Sequence, residues 1–187
     1  MAFSSGRYYA DANLGNVFIG TTAVAGVALP AYNATAHTFC VWNPLGSNKN
    51  IIPIHLMVGY SDTTGATGNV VISYQNAVGA QVATGAAITA ATLVAPLNAK
   101  VGAGNSSIAK FAPATATFAA ATSLLMTTGI TQTVTTATDA TNVPVQAKHD
   151  FDGSLIVPPG TAICVAGNIA LLAKFDVTMI WAEIALQ

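Results

Sequence analysis

The stretch Lys174-Phe175-Asp176-Val177-Thr178-Met179-Ile180-Trp181-Ala182-Glu183-Ile184-Ala185-Leu186 decides the fold. Odd positions from 175 to 181 are apolar, while positions 174, 176 and 178 are polar. Alternation with a period of two predicts a β-strand with one face on a core. From position 180 the even positions also become apolar, so we expect this end of the strand to be covered on both faces. A second sheet of the same domain or a neighbouring subunit could supply the cover.

Charged residues are scarce over the whole chain. Six Lys and Arg and seven Asp and Glu make up 7% of the 187 residues, against roughly 25% in an average soluble domain. So few charged side chains give weak repulsion between copies. We therefore predict a homo-oligomer whose interface includes Ile180, Trp181, Ile184 and Leu186.

Short β-branched or alternating runs, separated by Gly, Asn, Pro and Asp, fill most of the remaining sequence and predict antiparallel strands. Their number fits an all-β sandwich. The predicted strands cover 17–20, 24–29, 38–43, 51–60, 69–75, 123–136, 154–157, 161–166 and 174–186. Within 51–60 we expect one apolar row, made of Ile52, Ile54, Leu56, Val58 and Tyr60.

The chain is predicted to be one sandwich domain over residues 17–187, preceded by an extended N-terminal arm over 1–16. Residues 77–123 are rich in Ala, Thr and Gly, and we interpret them as an insertion or long loop packed on the same domain or on a neighbouring copy. A short helix is expected around 114–126. The sparse apolar anchors of this region are Leu93, Val94, Leu97 and Phe111.

Several function classes are disfavoured by the sequence. The basic residues do not cluster, so no nucleic-acid footprint is predicted. No apolar run reaches the length of a membrane-spanning helix, and the first 16 residues lack a secretory signal pattern. Glycine-rich pieces lack the spacing of a phosphate loop, so no cofactor is predicted.

Catalytic groups are also few. The three histidines are His37, His55 and His149, and a Ser/His/Asp triad with Asp150 or Asp176 finds no support in the spacing. A glycosidase-type pair is not expected, because the remaining acids Asp176 and Glu183 lie in one predicted strand. We therefore predict that the protein is not an enzyme.

Asp150 and Asp152 are the candidate metal ligands. In an extended segment both carboxylates would lie on one side and could share a hard cation such as calcium. The later oxygen ligands of a calcium loop are missing, so we favour a solvated turn before the strand at Ser154 and predict no metal.

Cys40 and Cys164 lie in apolar strand-like runs and are predicted to be small buried side chains. A disulfide between them is an open alternative, since the sequence does not show whether they meet.

Four groups of residues carry a resemblance to a known family. They are Gly6-Arg7-Tyr8-Tyr9 followed by Gly15-Asn16-Val17-Phe18; Asn43-Pro44 with Gly46-Ser47 and Lys49-Asn50; the corner Val157-Pro158-Pro159-Gly160-Thr161; and the ending Trp181-x-Glu183. The chain resembles the jelly-roll virion proteins of tailed bacteriophages, of the capsid decoration (cement) or head-fibre type. The resemblance implies a trimeric jelly-roll β-sandwich on the capsid surface, assembled in the host cytoplasm, with no catalytic residues.

Two functions follow as hypotheses. The first is a capsid decoration protein whose partners are its own copies and the major capsid protein or other virion proteins. The alternative is a receptor- or glycan-binding fibre module, for which we expect a groove with exposed aromatic residues at loop tips, such as Tyr60 or Tyr74.

Overall fold

The computed structural model describes residues 8–60, 68–76, 88–90, 93–118, 120–132 and 147–186. This part of the chain holds one short helix and fourteen strands, and every ladder between named strands is antiparallel. The elements in chain order are α1 (Tyr9–Asn13), β1 (Val17–Thr21), β2 (Val27–Leu29), β3 (Ala36–His37), β4 (Cys40–Trp42), β5 (Lys49–Tyr60), β6 (Gly68–Asn76), β7 (Ile88–Ala90), β8 (Leu97–Asn98), β9 (Lys110–Ala112), β10 (Ala116–Phe118), β11 (Ser123–Gln132), β12 (Ala147–Asp150), β13 (Thr161–Gly167) and β14 (Leu171–Ala185).

Two sheets pack face to face, which confirms the predicted all-β sandwich. Sheet A has the order β12-β5-β14-β1-β8, with β2 paired to the start of β14, and sheet B has the order β11-β6-β13-β4-β9. The main core lies between them and includes Phe18, Phe39, Leu56, Ile72, Phe111, Ile163, Met179 and Trp181. The alternating row 175–181 of β14 faces this core, as the sequence predicts.

A third, smaller sheet adds a layer on the outer side of sheet B. Sheet C has the order β3-β10-β7. A second apolar cluster joins β10 to β4, β9 and β13, and its members are Cys40, Trp42, Ala112, Ala116, Phe118, Ala162 and Cys164. Both cysteines are therefore buried, which confirms the prediction made for them.

The region predicted as an insertion adds strands to all three sheets. β8 extends sheet A, β9 extends sheet B, and β7 and β10 belong to sheet C. The predicted helix over 114–126 is wrong, because this stretch holds β10 and the start of β11. Its threonines are β-branched, and such residues favour strands. Of the four predicted anchors, Phe111 is buried, while Leu93, Val94 and Leu97 are exposed.

Most predicted strands are present with shifted ends, and two expectations need correction. The stretch 154–157 forms only an isolated bridge, between Val157 and Ile51. The strand predicted over 24–29 begins at Val27. Residues 133–136 of another predicted strand lie outside the described part of the chain.

A β-bulge divides the apolar row expected in β5. In the pairing with β14, Ile180 lies opposite His55 and Trp181 lies opposite Pro53, so Ile54 is the extra residue. A bulge reverses the alternation of faces along a strand. Leu56 and Val58 therefore face the main core, whereas Ile54 packs on the other side of sheet A, and the prediction of a single row is wrong.

The described part of the N-terminal arm is helical rather than extended. α1 lies on the side of sheet A that faces away from sheet B, and Tyr8 and Ala12 contact an apolar group there. We call this group the outer cluster; it consists of Val17, Ile54 and Ala182, with Tyr8, Ala12, Ala99, Ile180 and Ile184 packed against it. Residues 1–7 of the predicted arm lie outside the described residues.

Candidate functional site

The end of β14 is covered on both faces by the protein's own chain. On the inner face, Trp181 is 0% exposed and lies in the main core. On the outer face, Ile180 and Ile184 are half-buried in the outer cluster under α1. The sequence offered a second sheet or a neighbouring subunit as the cover; the second sheet covers one face and the N-terminal helix, which neither alternative included, covers the other.

The four residues predicted at an oligomer interface therefore have different surroundings. Trp181 has no accessible surface, so its place in the predicted interface is corrected: its side chain belongs to the core. Ile180 and Ile184 keep only part of their surface free, and Leu186 is 48% exposed. For these three residues the interface stays a prediction.

Glu183 is a buried carboxylate whose hydrogen-bond partners the sequence did not predict. Its carboxylate accepts hydrogen bonds from the loop before β9, and the donors are the Ser107 hydroxyl, the Ile108 amide at 3.0 and 3.1 Å, and the Ala109 amide at 3.3 Å. The Trp181 indole donates at 3.4 Å, and the Lys49 ammonium lies 3.9 Å away. These partners satisfy a charge that would otherwise be costly to bury. Glu183 thus ties the loop 107–109 to the end of β14.

The other half of the outer face of sheet A is polar. The register of β12 on β5 places Asp150 opposite His55, and His55 Nδ1 contacts the Asp150 carboxylate. Lys148 Nζ lies 3.1 Å from the same oxygen. The hydrogen bond from Lys148 is the main cause that lowers the pKa of Asp150, and the contact with His55 lowers it further. We call His55, Lys148 and Asp150 the polar triplet.

The polar triplet holds one feature of a hydrolase, a histidine oriented by a carboxylate. A triad also needs a nucleophile hydrogen-bonded to the second ring nitrogen. Within the described residues, no serine, threonine or cysteine hydrogen-bonds to His55. Asp176 lies on the outer face of β14 and Glu183 on its inner face, so the two acids do not form a pair either.

The candidate metal ligands do not come together as a site. Asp150 ends β12, and Phe151 and Ser154 then close a turn in which the Ser154 amide donates to the Phe151 carbonyl at 2.8 Å. Asp152 and Gly153 occupy the centre of this turn with φ of 49° and 80°, the positive values that a turn of the primed type requires. The segment is therefore a turn, as favoured from the sequence, and among the described residues no group of three metal-ligating side chains forms.

A shallow cleft lies beside the polar triplet. It runs over β5, β12 and β14 and is lined by Met57, Gly59, Lys148, Asp176 and Thr178, among others. Carboxylate oxygen Oδ1 of Asp176 is shielded from solvent and has no hydrogen-bond partner. Met57 is the exposed apolar floor of this cleft. The cleft therefore combines a half-buried carboxylate residue, an ammonium group and a small apolar surface.

His37 is the buried histidine of sheet C. Its Nε2 lies 3.1 Å from the Ala34 carbonyl and 2.8 Å from Thr122 Oγ1, and the Phe118 ring packs edge-on at 5.8 Å. Burial lowers the pKa of His37, against the hydrogen bond to Ala34, which raises it. Burial thus favours the neutral form of His37, and its ring packs against Phe118 of the same sheet.

Exposed apolar side chains lie at the β8 edge of sheet A. Leu97 and Val101 are 68% and 97% exposed, and Tyr9 and Leu14 are exposed as well.

Hydrogen bonds hold the segment after α1 beside the segment after β8. Lys100 Nζ donates to the Asn13 carbonyl at 2.7 Å, Asn105 Nδ2 donates to the Leu14 carbonyl at 2.9 Å, and the Ala99 amide donates to the Val17 carbonyl at 2.9 Å. We call Tyr9, Leu14, Leu97 and Val101 the β8 patch. In the sequence, the signal for this patch is limited to the apolar residues Leu97 and Val101, which lie in a segment without clear periodicity.

Comparison with protein-family models, with curated proteins and with solved structures finds no match to this chain. Among the described residues, no helix has the length and hydropathy that crossing a membrane requires.

Proposed function

We propose that this chain is a non-enzymatic structural protein of a bacteriophage virion, a capsid decoration or cement protein. In this proposal it trimerises on the capsid surface and stabilises the head through contacts with neighbouring capsid subunits. The observation that carries the proposal is the β8 patch, exposed on a chain in which only 7% of residues are charged. Exposed apolar side chains on neighbouring segments are candidate sites of association.

The strand order supports the jelly-roll interpretation. Taken in sequence, β1, β4, β5, β6, β11, β12, β13 and β14 lie in sheets A, B, A, B, B, A, B and A. The resulting sheets, β1-β14-β5-β12 and β4-β13-β6-β11, have the order that two interlocked Greek keys produce. Capsid and lectin domains both use this architecture, so the fold fits the proposed function without deciding it.

A repeating shell gives a physical reason for the low charge. Copies on a lattice shield one another's surfaces, so weak repulsion between them is tolerated. Many modest contacts added over the lattice hold a coat in place without any single tight site. Neither nucleic acid nor membrane is a partner in this proposal.

Light scattering of the purified full-length protein tests the assembly. We expect three times the 18.9 kDa mass of one chain. A monomer that persists at high concentration would contradict the proposal, because the β8 patch would then face water in the working state.

A charge placed in the β8 patch tests the interface itself. Leu97→Asp combined with Val101→Asp should convert the trimer to monomers that remain folded, since both side chains are exposed on the single chain. The matched control is Leu45→Asp, in an exposed turn of another part of the chain, which should leave the trimer intact.

Co-sedimentation with phage heads tests the partner. We expect the native protein to pellet with heads that lack their own decoration protein, and the double Asp variant to bind more weakly. If the protein forms trimers that bind no head, the predicted trimer stands but the capsid role is refuted.

A receptor- or glycan-binding fibre module is the second candidate, and the cleft beside the polar triplet favours it. Tyr60 and Tyr74, the aromatic residues expected at loop tips, are instead half-buried against the main core. A glycan array tests this candidate directly. Binding that Asp176→Asn abolishes would favour it, whereas silence across the array would leave the capsid proposal ahead.

A further inference from the structure

The two cysteines occupy directly opposite positions on neighbouring strands of sheet B. Cys164 of β13 pairs with Cys40 of β4, although 124 residues separate them in sequence. Their sulfur atoms lie 3.0 Å apart, and both side chains are 0% exposed. The question left open by the sequence, whether these thiols meet, is therefore answered.

The hydrogen-bond pattern places the pair at a position that suits a covalent bond. The Val165 amide donates to the Phe39 carbonyl at 3.1 Å, and the Asn43 amide donates to the Thr161 carbonyl at 2.9 Å. Hydrogen-bonded and non-hydrogen-bonded pairs alternate along an antiparallel ladder, so the cysteines form a non-hydrogen-bonded pair. Opposite Cα atoms in such pairs are about 4.5 Å apart, which lies within the range that a disulfide spans.

The surroundings leave the thiols few other roles. Their neighbours in the second apolar cluster are Trp42, Ala112, Ala116, Phe118 and Ala162, which offer no metal ligand. No group of three metal-ligating side chains occurs in the described part of the chain. Burial and the neighbouring Cys40 thiol raise the pKa of Cys164, so its thiolate is scarce in the folded protein.

We propose that Cys40 and Cys164 are a modification site, at which a small-molecule disulfide such as oxidised glutathione converts the two thiols into an intramolecular disulfide between β4 and β13. One protein thiolate attacks the reagent and releases one glutathione thiol, which leaves a mixed disulfide on the protein. The second protein thiolate attacks this mixed disulfide and releases the second glutathione thiol. The protein pair loses two electrons and two protons, and the reagent gains them. The inference does not depend on the proposed virion role.

The location of the pair predicts when the bond forms. Sheet C covers the thiols from outside, so the reagent reaches them while the chain folds or when sheet C opens. Refolding in a glutathione redox buffer should therefore give the disulfide readily, and treatment of the folded protein should give it slowly.

Refolding of the full chain with oxidised glutathione, against refolding with a reducing agent, tests the proposal. After alkylation of free thiols and proteolysis without reduction, we expect a peptide pair linked through Cys40 and Cys164. The melting temperature should rise by about 5–15 °C, because the bond closes a long loop of the unfolded chain. The variants Cys40→Ala and Cys164→Ala should show no difference between the two refolding conditions.

Three results would overturn the inference. They are the recovery of both thiols in alkylated form after oxidative refolding, a disulfide that joins two chains instead of one, and a melting temperature that the linked form leaves unchanged. If a single Ala variant fails to fold, the native protein alone still decides, since the linked peptide and the melting temperature are both measured on it.

Discussion

The outer face of sheet A has an apolar half and a polar half. At the end of β14 the outer cluster is apolar and lies under α1, whereas at its middle the half-buried Asp176 and Thr178 line the cleft beside the polar triplet. The outer face of β14 thus changes from polar to apolar within a few residues. The difference teaches that alternation along a strand fixes which side chains share a face, while distant parts of the chain decide what covers that face.

The largest expected effect is on the inner side of the covered half. Trp181→Ala removes a fully buried indole from the main core and should lower the free energy of unfolding by about 3–5 kcal/mol. Denaturant unfolding measures this loss. Leu186→Ala, at the exposed end of the same segment, is the control and should change it little. Equal effects for the two variants would mean that the inner and outer surroundings of this segment do not differ.

Glu183→Gln sharpens the comparison at the same end of β14. The carboxamide keeps one acceptor oxygen but places an NH₂ group beside the Ile108 amide and the Lys49 ammonium, so we expect a loss of about 1–3 kcal/mol. Hydrogen exchange should become faster at the amides of Ile108 and Ala109 before it changes in the central strands. Unchanged exchange there would show that the carboxylate does not hold this loop.

The cover supplied by α1 gives a smaller effect. Ala12→Asp places a carboxylate against the outer cluster and should cost about 1–2 kcal/mol, with increased binding of a hydrophobic dye as the helix lifts. Ala10→Asp lies on the exposed side of the same helix and is the matched control. If both variants behave alike, the helix does not cover the sheet in solution.

The polar half should respond least. The lowered pKa of Asp150 means that its stabilising contribution is present above the ordinary aspartate value and disappears as the pH falls through the lowered value. The melting temperature of Asp150→Asn should therefore be slightly below that of the native protein at neutral pH. The two curves should meet as the pH falls below about 3.9, and high salt should reduce the difference. A gap that persists in acid would mean that Asp150 acts through something other than its charge.

Local sequence patterns predicted the parts of the molecule that depend on neighbouring residues. The alternation over 175–181 placed one face of β14 on the core, and the Asp-Gly pair at 152–153 gave a turn. The same logic failed in β5, because the alternation was followed through Pro53, a residue type that occurs in sheets mainly at edges and bulges, and the bulge lies at the next residue, Ile54. It also failed over 114–126, where pairing with distant strands decided the conformation.

The candidate sites were harder to predict, because each joins residues far apart in sequence. His55 meets Asp150 only through the register of β12 on β5, and Glu183 meets Ser107 only because the loop before β9 folds over β14. No spacing rule links such positions. The sequence shows that the residues of the β8 patch are apolar, but it does not show that they are exposed. Their exposure depends on the position of β8 as the edge strand of sheet A.

The sequence by itself determined that the protein is an all-β sandwich with few charges, since turn residues, β-branched runs and composition act locally or on the chain as a whole. Only the tertiary structure decided that α1 covers the outer cluster, that Trp181 belongs to the core, and that Cys40 faces Cys164. The physical reason is that burial and register arise from contacts between segments distant in sequence, and these contacts leave no periodic trace in the residues themselves.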